Sequence, residues 1–331
     1  MVRRLREVEL EYVIKRIAEE SAVKRTRVVV VANSRSSQAK KVELEALRPI
    51  KDAIFGRNQG QSKGISNVTL VQYEVLPTDV DDNALKLSEV LKDDDILLTL
   101  GGDGTATIGV NAAFLSGKKV KYYTMPFGNF NDIARTARKA RGSTVYGLEA
   151  KIDGEHFRFA LCYFTLGMLA ESTEVFDENR VREKLRKRNG RLLFSLMVLF
   201  KWFVGNHRKK FVPKFRYEMD GNRAGVEMVG ISDVIILNGE SMAKILRGGN
   251  YYLGEKFLMR CASLQNFFAM TWFMICGFFG IKGEQSKLMR LIFEEEGGTQ
   301  PIEIQAEGEY RRIEKMKSLE FRKTKEALQI L

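Results

Sequence analysis

The spacing of apolar residues changes twice along the chain, and each change announces a different kind of element. Leu5, Val8, Leu10, Val13, Ile14 and Ile17 recur at roughly helical spacing. Residues 3–20 are therefore predicted to form an amphipathic helix, with Arg3, Arg4, Arg6, Lys15 and Arg16 outside its stripe. Val28-Val29-Val30-Val31-Ala32 is instead a continuous β-branched run, the pattern of a strand buried on both faces of a parallel sheet. Val68 to Val75 alternates as a second strand, Ile96 to Leu100 is an apolar run of strand length, and Lys119 to Met125 is a fourth. Helices are expected between them, from Ala106 to Leu115 and from Asp132 to Arg141. Strand and helix in alternation predict a doubly wound α/β domain with its loops at one edge.

Beyond Leu148 the period becomes two. Lys151 to Leu161 alternates around Asp153-Gly154, which signals a hairpin. Two domains are expected with a boundary near residue 145: an N-terminal α/β domain and a C-terminal domain of mainly antiparallel β structure. The predicted divisions are a helical extension over 1–25, an α/β domain over 26–145 and a β-rich domain over 146–331. Residues 56–66 form a polar, glycine-rich loop. An insertion near 180–212 runs from Arg182, Lys184 and Arg186 through apolar Leu192 to Val204 and ends on Arg208, Lys209 and Lys210. It reads equally as an interfacial segment or as a solvated helix with one core face.

Composition narrows the function classes. The 331 residues are 44% hydrophobic and carry a net charge of +12, which suits an anionic membrane face, a nucleotide or a nucleic acid. Cys162, Cys261 and Cys276 lack metal-ligand spacing and are expected to be reduced core residues of a cytoplasmic protein. Arg3, Arg4 and Arg6 followed by acidic residues do not resemble a signal peptide. The most apolar stretch, Phe267 to Phe279, is shorter than the roughly 20 residues a membrane span needs.

The chemistry concentrates between residues 96 and 132. Gly101-Gly102-Asp103-Gly104-Thr105 follows an apolar strand and precedes a helix, an arrangement in which backbone N–H groups can approach a polyphosphate. This core resembles one shared by the diacylglycerol/sphingosine kinases and the NAD kinases. Pro126-Phe127-Gly128-Asn129-Phe130-Asn131-Asp132, with Arg135 beyond it, resembles the lipid-kinase continuation. The chain is therefore similar to bacterial diacylglycerol kinase-like lipid kinases, and the resemblance implies an NAD-kinase-like N-terminal domain and a lipid-binding β domain.

The same resemblance implies site residues. Asn33-Ser34-Arg35-Ser36-Ser37 is similar to a nucleotide loop, so Asn33, Ser34, Ser36 and Ser37 are expected near the nucleotide, with Thr78, Gly128, Asn129 and Asn131. Gly101, Gly102, Gly104 and Thr105 would hold phosphate, and Asp103 would hold magnesium. Glu307-Gly308-Glu309 resembles a terminal Asp-Gly-Glu turn. Glu309 is the implied general base, with Glu307 and Asp132 as supporting carboxylates. Asp153-Gly154-Glu155 has similar letters, but a plain hairpin turn explains it. Asn238-Gly239 and Gly248-Gly249 match further family positions, whereas Leu253 stands where the family has an aspartate near a structural magnesium.

The function so implied is ATP-dependent transfer of phosphate to a lipid hydroxyl, for example that of diacylglycerol, with ATP and Mg2+ as cofactors. The expected partners are the lipid substrate and an anionic membrane surface at the inner face of the membrane, with a homodimer open. Nucleic acid is not expected, since no basic-aromatic module is present. An NAD kinase remains open, as does a kinase fold that binds nucleotide or membrane without turnover. Ser34, Asn129, Leu253 and Glu307 favour the last, and Asp103, Asp132 and Glu309 oppose it.

Overall fold

Val28 to Val31 are fully buried, as a β-branched run between two layers of helix should be. They belong to a chain whose computed structural model describes residues 2–56, 64–128, 131–177, 212–228, 230–241, 246–247, 249–263, 283–293 and 301–331, with isolated positions between 197 and 205 and between 268 and 276. The chain divides into two compact units, Met1–Val145 with Glu326–Leu331, and Tyr146–Lys325.

The first unit runs α1 (Val2–Val23), β1 (Thr26–Ala32), α2 (Ala39–Val42), a π-helical stretch (Glu43–Leu47), α3 (Arg48–Phe55), β2 (Val68–Glu74) and α4 (Val80–Val90). It continues through β3 (Ile96–Gly101), α5 (Asp103–Ser116), β4 (Lys121–Pro126), α6 (Asp132–Lys139) and β5 (Thr144–Val145). β1 to β4 are parallel in the order β2-β1-β3-β4. Ala32 lies opposite both Glu74 and Leu100, and Gly101 lies opposite Pro126, so all four strands end at one edge. In parallel α/β sheets that edge is where loops can converge on a ligand.

Three features of this unit differ from the sequence expectation. α5 starts at Asp103, three residues before the predicted Ala106, so Asp103 to Thr105 form its first turn. The N-terminal helix packs within the unit through fully buried Val13 and Ile17, while Val8 of the predicted stripe is 52% exposed. Arg6, expected outside the stripe, is 6% exposed, because its guanidinium bonds Glu45 at 2.7 Å and stacks over the Phe127 ring. Finally, residues 326–331, assigned from sequence to the second domain, return to the first unit. Their β20 (Leu328–Ile330) pairs in parallel with β4 and antiparallel with β5.

The second unit is antiparallel. It comprises β6 (Leu148–Ile152), β7 (Glu155–Ala160), β8 (Tyr163–Gly167), α7 (Met168–Asp177), β9 (Phe215–Met219), β10 (Asn222–Met228) and β11 (Asp233–Leu237). After the short pair β12 (Glu240–Ser241) and β13 (Leu246–Arg247) come β14 (Phe257–Ala262), β15 (Glu284–Ser286), β16 (Leu288–Phe293), β17 (Ile302–Ala306), β18 (Glu309–Ile313) and β19 (Ser318–Lys323). Two six-stranded sheets result, β10-β9-β16-β19-β6-β7 and β15-β14-β11-β8-β17-β18. Phe164 of one meets Phe321 of the other with ring centroids 5.2 Å apart. The hairpin expected around Asp153-Gly154 is present as β6–β7. The insertion near 180–212 and the apolar stretch 267–279 lie largely outside the described residues, as does Gly248. None of the three cysteines forms a disulfide among the described residues; Cys162 is buried and the other two are half-buried.

Asp233 begins β11 fully buried, accepting hydrogen bonds from Leu169 N (2.6 Å) and Ser232 Oγ (2.7 Å). Burial pushes its carboxyl up to about 7 against those donors. A raised folded-state pKa means that the folded protein holds the proton longer. The associated stability is complete below the unfolded carboxyl pKa of about 4. It declines as pH rises and is gone once pH passes about 7. The thermal unfolding temperature is expected to fall between pH 5 and pH 8, and Asp233→Asn should flatten that slope in a pH series followed by circular dichroism.

Candidate active site

A carboxylate at the start of α5 joins the two glycine-containing turns. Asp103 Oδ2 accepts the Asn131 N–H at 2.8 Å, and its Oδ1 accepts the Asp132 N–H at 2.9 Å. Asp103 therefore caps α6 from another helix, meeting the orphan donors and positive dipole end of that helix with negative charge. Burial raises the Asp103 carboxyl pKa, opposed by these two donors and by the Arg135 guanidinium. Asn131 adopts a left-handed conformation and closes the turn on itself. Its Oδ1 accepts the Gly128 N–H and its Nδ2 donates to the Gly128 carbonyl, both at 2.9 Å. Phe127 N–H donates to Gly101 O at 2.8 Å, which locks this turn to the end of β3.

Glycine is required where the turns touch. A Cβ on Gly128 would lie 2.7 Å from Gly102 Cα and 3.0 Å from Asn131 Oδ1, and one on Gly101 would lie 2.4 Å from Thr105 Oγ1. Gly102 is the N-cap of α5 and, being glycine, offers that helix no capping side chain. The first turn, Asp103-Gly104-Thr105, thus directs backbone N–H groups to the edge where the strands end, the arrangement that suits phosphate. Asp132, buried at the start of α6, pairs with Arg135 one turn later. Asn129 lies outside the described residues.

The loop after β1 reaches the same edge. Asn33 Oδ1 accepts the Arg35 N–H at 3.0 Å, Ser36 N–H donates to Asn33 O at 3.1 Å, and Ser34 N–H donates to Glu74 Oε1 at 2.6 Å. Ser37 is exposed at the same turn, before α2. Thr78 is exposed after β2 and accepts Asn83 Nδ2 at 3.0 Å, while the actual cap of α4 is Asp79, whose Oδ1 accepts the Asp82 N–H at 2.8 Å. Asn83 was not singled out by sequence. Fully buried, it also accepts the Leu76 N–H at 2.7 Å, and only its polarity inside a helical stripe hinted at this.

The remaining candidate carboxylates belong to the second unit. Glu307 and Gly308 both have positive φ, 53° and 94°, so they form the two-residue turn of the β17–β18 hairpin. Glu307 is buried, and its Oε1 accepts the N–H groups of Leu161 and Cys162, each at 2.6 Å, just before β8. Asp153 does likewise before β19, accepting from Lys317 N (2.9 Å) and Ser318 N (2.7 Å). Asp220 does so before β16, accepting from Lys287 N (2.9 Å) and Leu288 N (3.1 Å). Glu307 thus holds a strand entry in the same manner as the turn that sequence set aside. Glu309 is half-buried at the start of β18, opposite Ala306.

Lys323 is a charged group that the sequence did not mark. Its Nζ donates to Asn238 Oδ1, Tyr251 O (2.9 Å) and Tyr146 O (3.3 Å), and burial lowers its pKa to about 7. Asn238 in turn donates to Tyr146 O at 2.8 Å and Leu161 O at 2.7 Å. The Lys323 side chain therefore gathers three oxygens, those of Asn238, Tyr251 and Tyr146, at one buried point. Among the described residues no cluster of three acidic, histidine or cysteine side chains forms a metal site.

Two substitutions probe the seam between the turns. An amide at position 103 offers one acceptor oxygen for two N–H groups, so Asp103→Asn should cost about 1–3 kcal/mol in urea unfolding. Gly128→Ala should lose a similar amount, roughly 1–3 kcal/mol, through overpacking against Gly102.

Residues 57–162 match the model of the diacylglycerol kinase catalytic domain. Two solved structures from Bacillus anthracis str. Sterne, one described as a putative diacylglycerol kinase and the other as a diacylglycerol kinase, align with TM-scores of 0.58 and 0.57 at 16% and 15% identity. Both alignments cover 92% of this chain and 94% of that chain. At such identity the likeness is one of fold. No curated protein matches the chain. Residues 57–162 are thus similar to a diacylglycerol kinase catalytic domain, and over nearly its whole length the chain shares the fold of these structures.

Proposed function

We propose that this protein transfers the γ-phosphate of ATP to a hydroxyl group of a membrane lipid such as diacylglycerol. The observation that carries the reading is the seam at Asp103, where an α5 N-terminus that begins on glycine is tied to the Asn131-Asp132 turn. Gly101, Gly102, Gly104 and Thr105 hold the phosphates through backbone N–H groups. Asn33, Ser34, Ser36, Ser37, Thr78, Gly128, Asn129 and Asn131 are the nucleotide-side residues.

The Asp103 carboxylate fits a magnesium ion. Two of its roughly four lone-pair directions receive N–H groups, and the others remain for the ion or its waters. Magnesium, when bound, supplies charge neutralisation on the phosphate oxygens. Glu309 acts as general base and takes the proton from the lipid hydroxyl, which is a poor nucleophile at neutral pH. Glu307 supports it by fixing the turn from which β18 begins. Asp132, held by Arg135, keeps the start of α6 in place.

Peripheral association with the cytoplasmic face of the membrane accompanies this reading. It is supported by the net charge of +12 and by Phe268 and Trp272, which are 83% and 66% exposed. No helix among the described residues is long and apolar enough to cross a membrane.

The test is incubation with magnesium and γ-labelled ATP, with a total bacterial lipid extract in one reaction and NAD in another. Label is expected in the organic phase, and Glu309→Gln should lower turnover about 100-fold or more while leaving ATP binding by calorimetry unchanged. Label on NAD would replace the proposal with an NAD kinase. ATP binding without transfer to either acceptor would replace it with a binding role.

A further inference from the structure

α6 is held at both ends by carboxylates from other helices. Asp103 takes its N-terminal N–H groups, and Glu9 of α1 takes the arginines at and beyond its C-terminus. Glu9 is 2% exposed, bonds Arg138 Nε at 2.6 Å and pairs with Arg141 as well. The Arg141 guanidinium lies 4.1 Å over the Tyr12 ring and also donates to Tyr123 Oη at β4. One turn before Glu9, Arg6 reaches the other side of the motif. Its guanidinium sits 5.3 Å over the Phe127 ring, at the start of the turn that carries Gly128 and Asn131, while bonding Glu45. The two ends of residues 127–141 therefore meet α1 within a single helical turn of each other.

We infer that α1 is a positioning element for the Phe127–Asp132 turn, acting through Glu9 and Arg6. The proposal rests on the reading of residues 101–132 as the nucleotide site. Its physical basis is the shortness of α6, which has eight residues, since short helices depend on tertiary contacts. A buried carboxylate shared by two guanidinium groups fixes both orientation and distance. Moving the C-terminal end of α6 would displace Asp132 and Asn131, and with them the two N–H groups on Asp103.

Glu20 provides an internal control, since it pairs with Lys121 at 2.5 Å from the far end of the same helix, at the start of β4. Hydrogen exchange over residues 127–133, together with KM for ATP and kcat, should be compared in Glu9→Gln, Glu20→Gln and the unaltered protein. Glu9→Gln is expected to speed exchange in that segment and raise KM for ATP roughly tenfold, with kcat changed far less. Glu20→Gln should leave both unchanged at an equal unfolding temperature. Equal effects of the two variants, or no change in Glu9→Gln, would overturn the inference. Should Glu9→Gln fail to fold, Arg138→Gln removes one partner and leaves the Arg141 pair, with the same split expected. Faster exchange in Glu9→Gln alongside a parent protein that transfers no phosphate would uphold the positioning role and refute the kinase reading.

Discussion

The carboxylate of Asp103 is the constraint on which the strand-end edge of the first unit depends. It begins one helix and caps another, so the geometry of β3–α5 and of β4–α6 is transmitted through two hydrogen bonds of 2.8 and 2.9 Å. Aspartate is the side chain that can do this from the first turn of α5, because it offers two acceptor oxygens on a short stem. The contact also explains why the glycines come in two separated groups. Gly102 and Gly128 meet backbone to backbone, and a methyl group on either would push the turns apart.

Much of this was legible in order along the chain. Buried Val28–Val31, the apolar run before Gly101 and the hairpin around Asp153-Gly154 all follow from the period of their side chains. The start of α5 was not, because glycine is a weak helix former and two of the first four residues from its cap are glycine. Burial of Arg6 was also hidden. An arginine reads as a surface residue until a carboxylate from residue 45 and an aromatic ring from residue 127 are brought to it. Within the candidate site, Asp103, Asn131 and Asp132 were singled out by the resemblance of their motifs to a known family, and the structure brings them together. Glu74 on Ser34 and Glu9 on α6 were not, since pairs 40 and 129 residues apart leave no local signal.

The second unit repeats one device three times. Asp153-Gly154, Asp220-Gly221 and Glu307-Gly308 each place an acidic residue and a glycine at positive φ, and each acidic side chain accepts N–H groups from the entry of a neighbouring strand. The turn fixes its own register by its conformation and that of the adjacent strand by its carboxylate. Sequence letters alone could not separate a site residue from a structural one here, because the chemistry of a hydrogen-bonded turn selects the same residues. Glu307 differs from the two aspartates by one methylene, and it reaches its donors at 2.6 Å.

The placement of β20 has a bearing on biosynthesis. Its Leu328 and Ile330 are buried in the first sheet, between β4 and β5, yet they follow the whole second unit in the chain. A ribosome releases residues 1–145 long before this strand, so the usual N-terminal-first order of domain folding is interrupted. Until the last segment emerges, the flank of β4 that β20 will cover offers open backbone groups to solvent or to a chaperone. Completion of the unit that carries Asp103 is therefore timed by synthesis of the unit that carries Glu309.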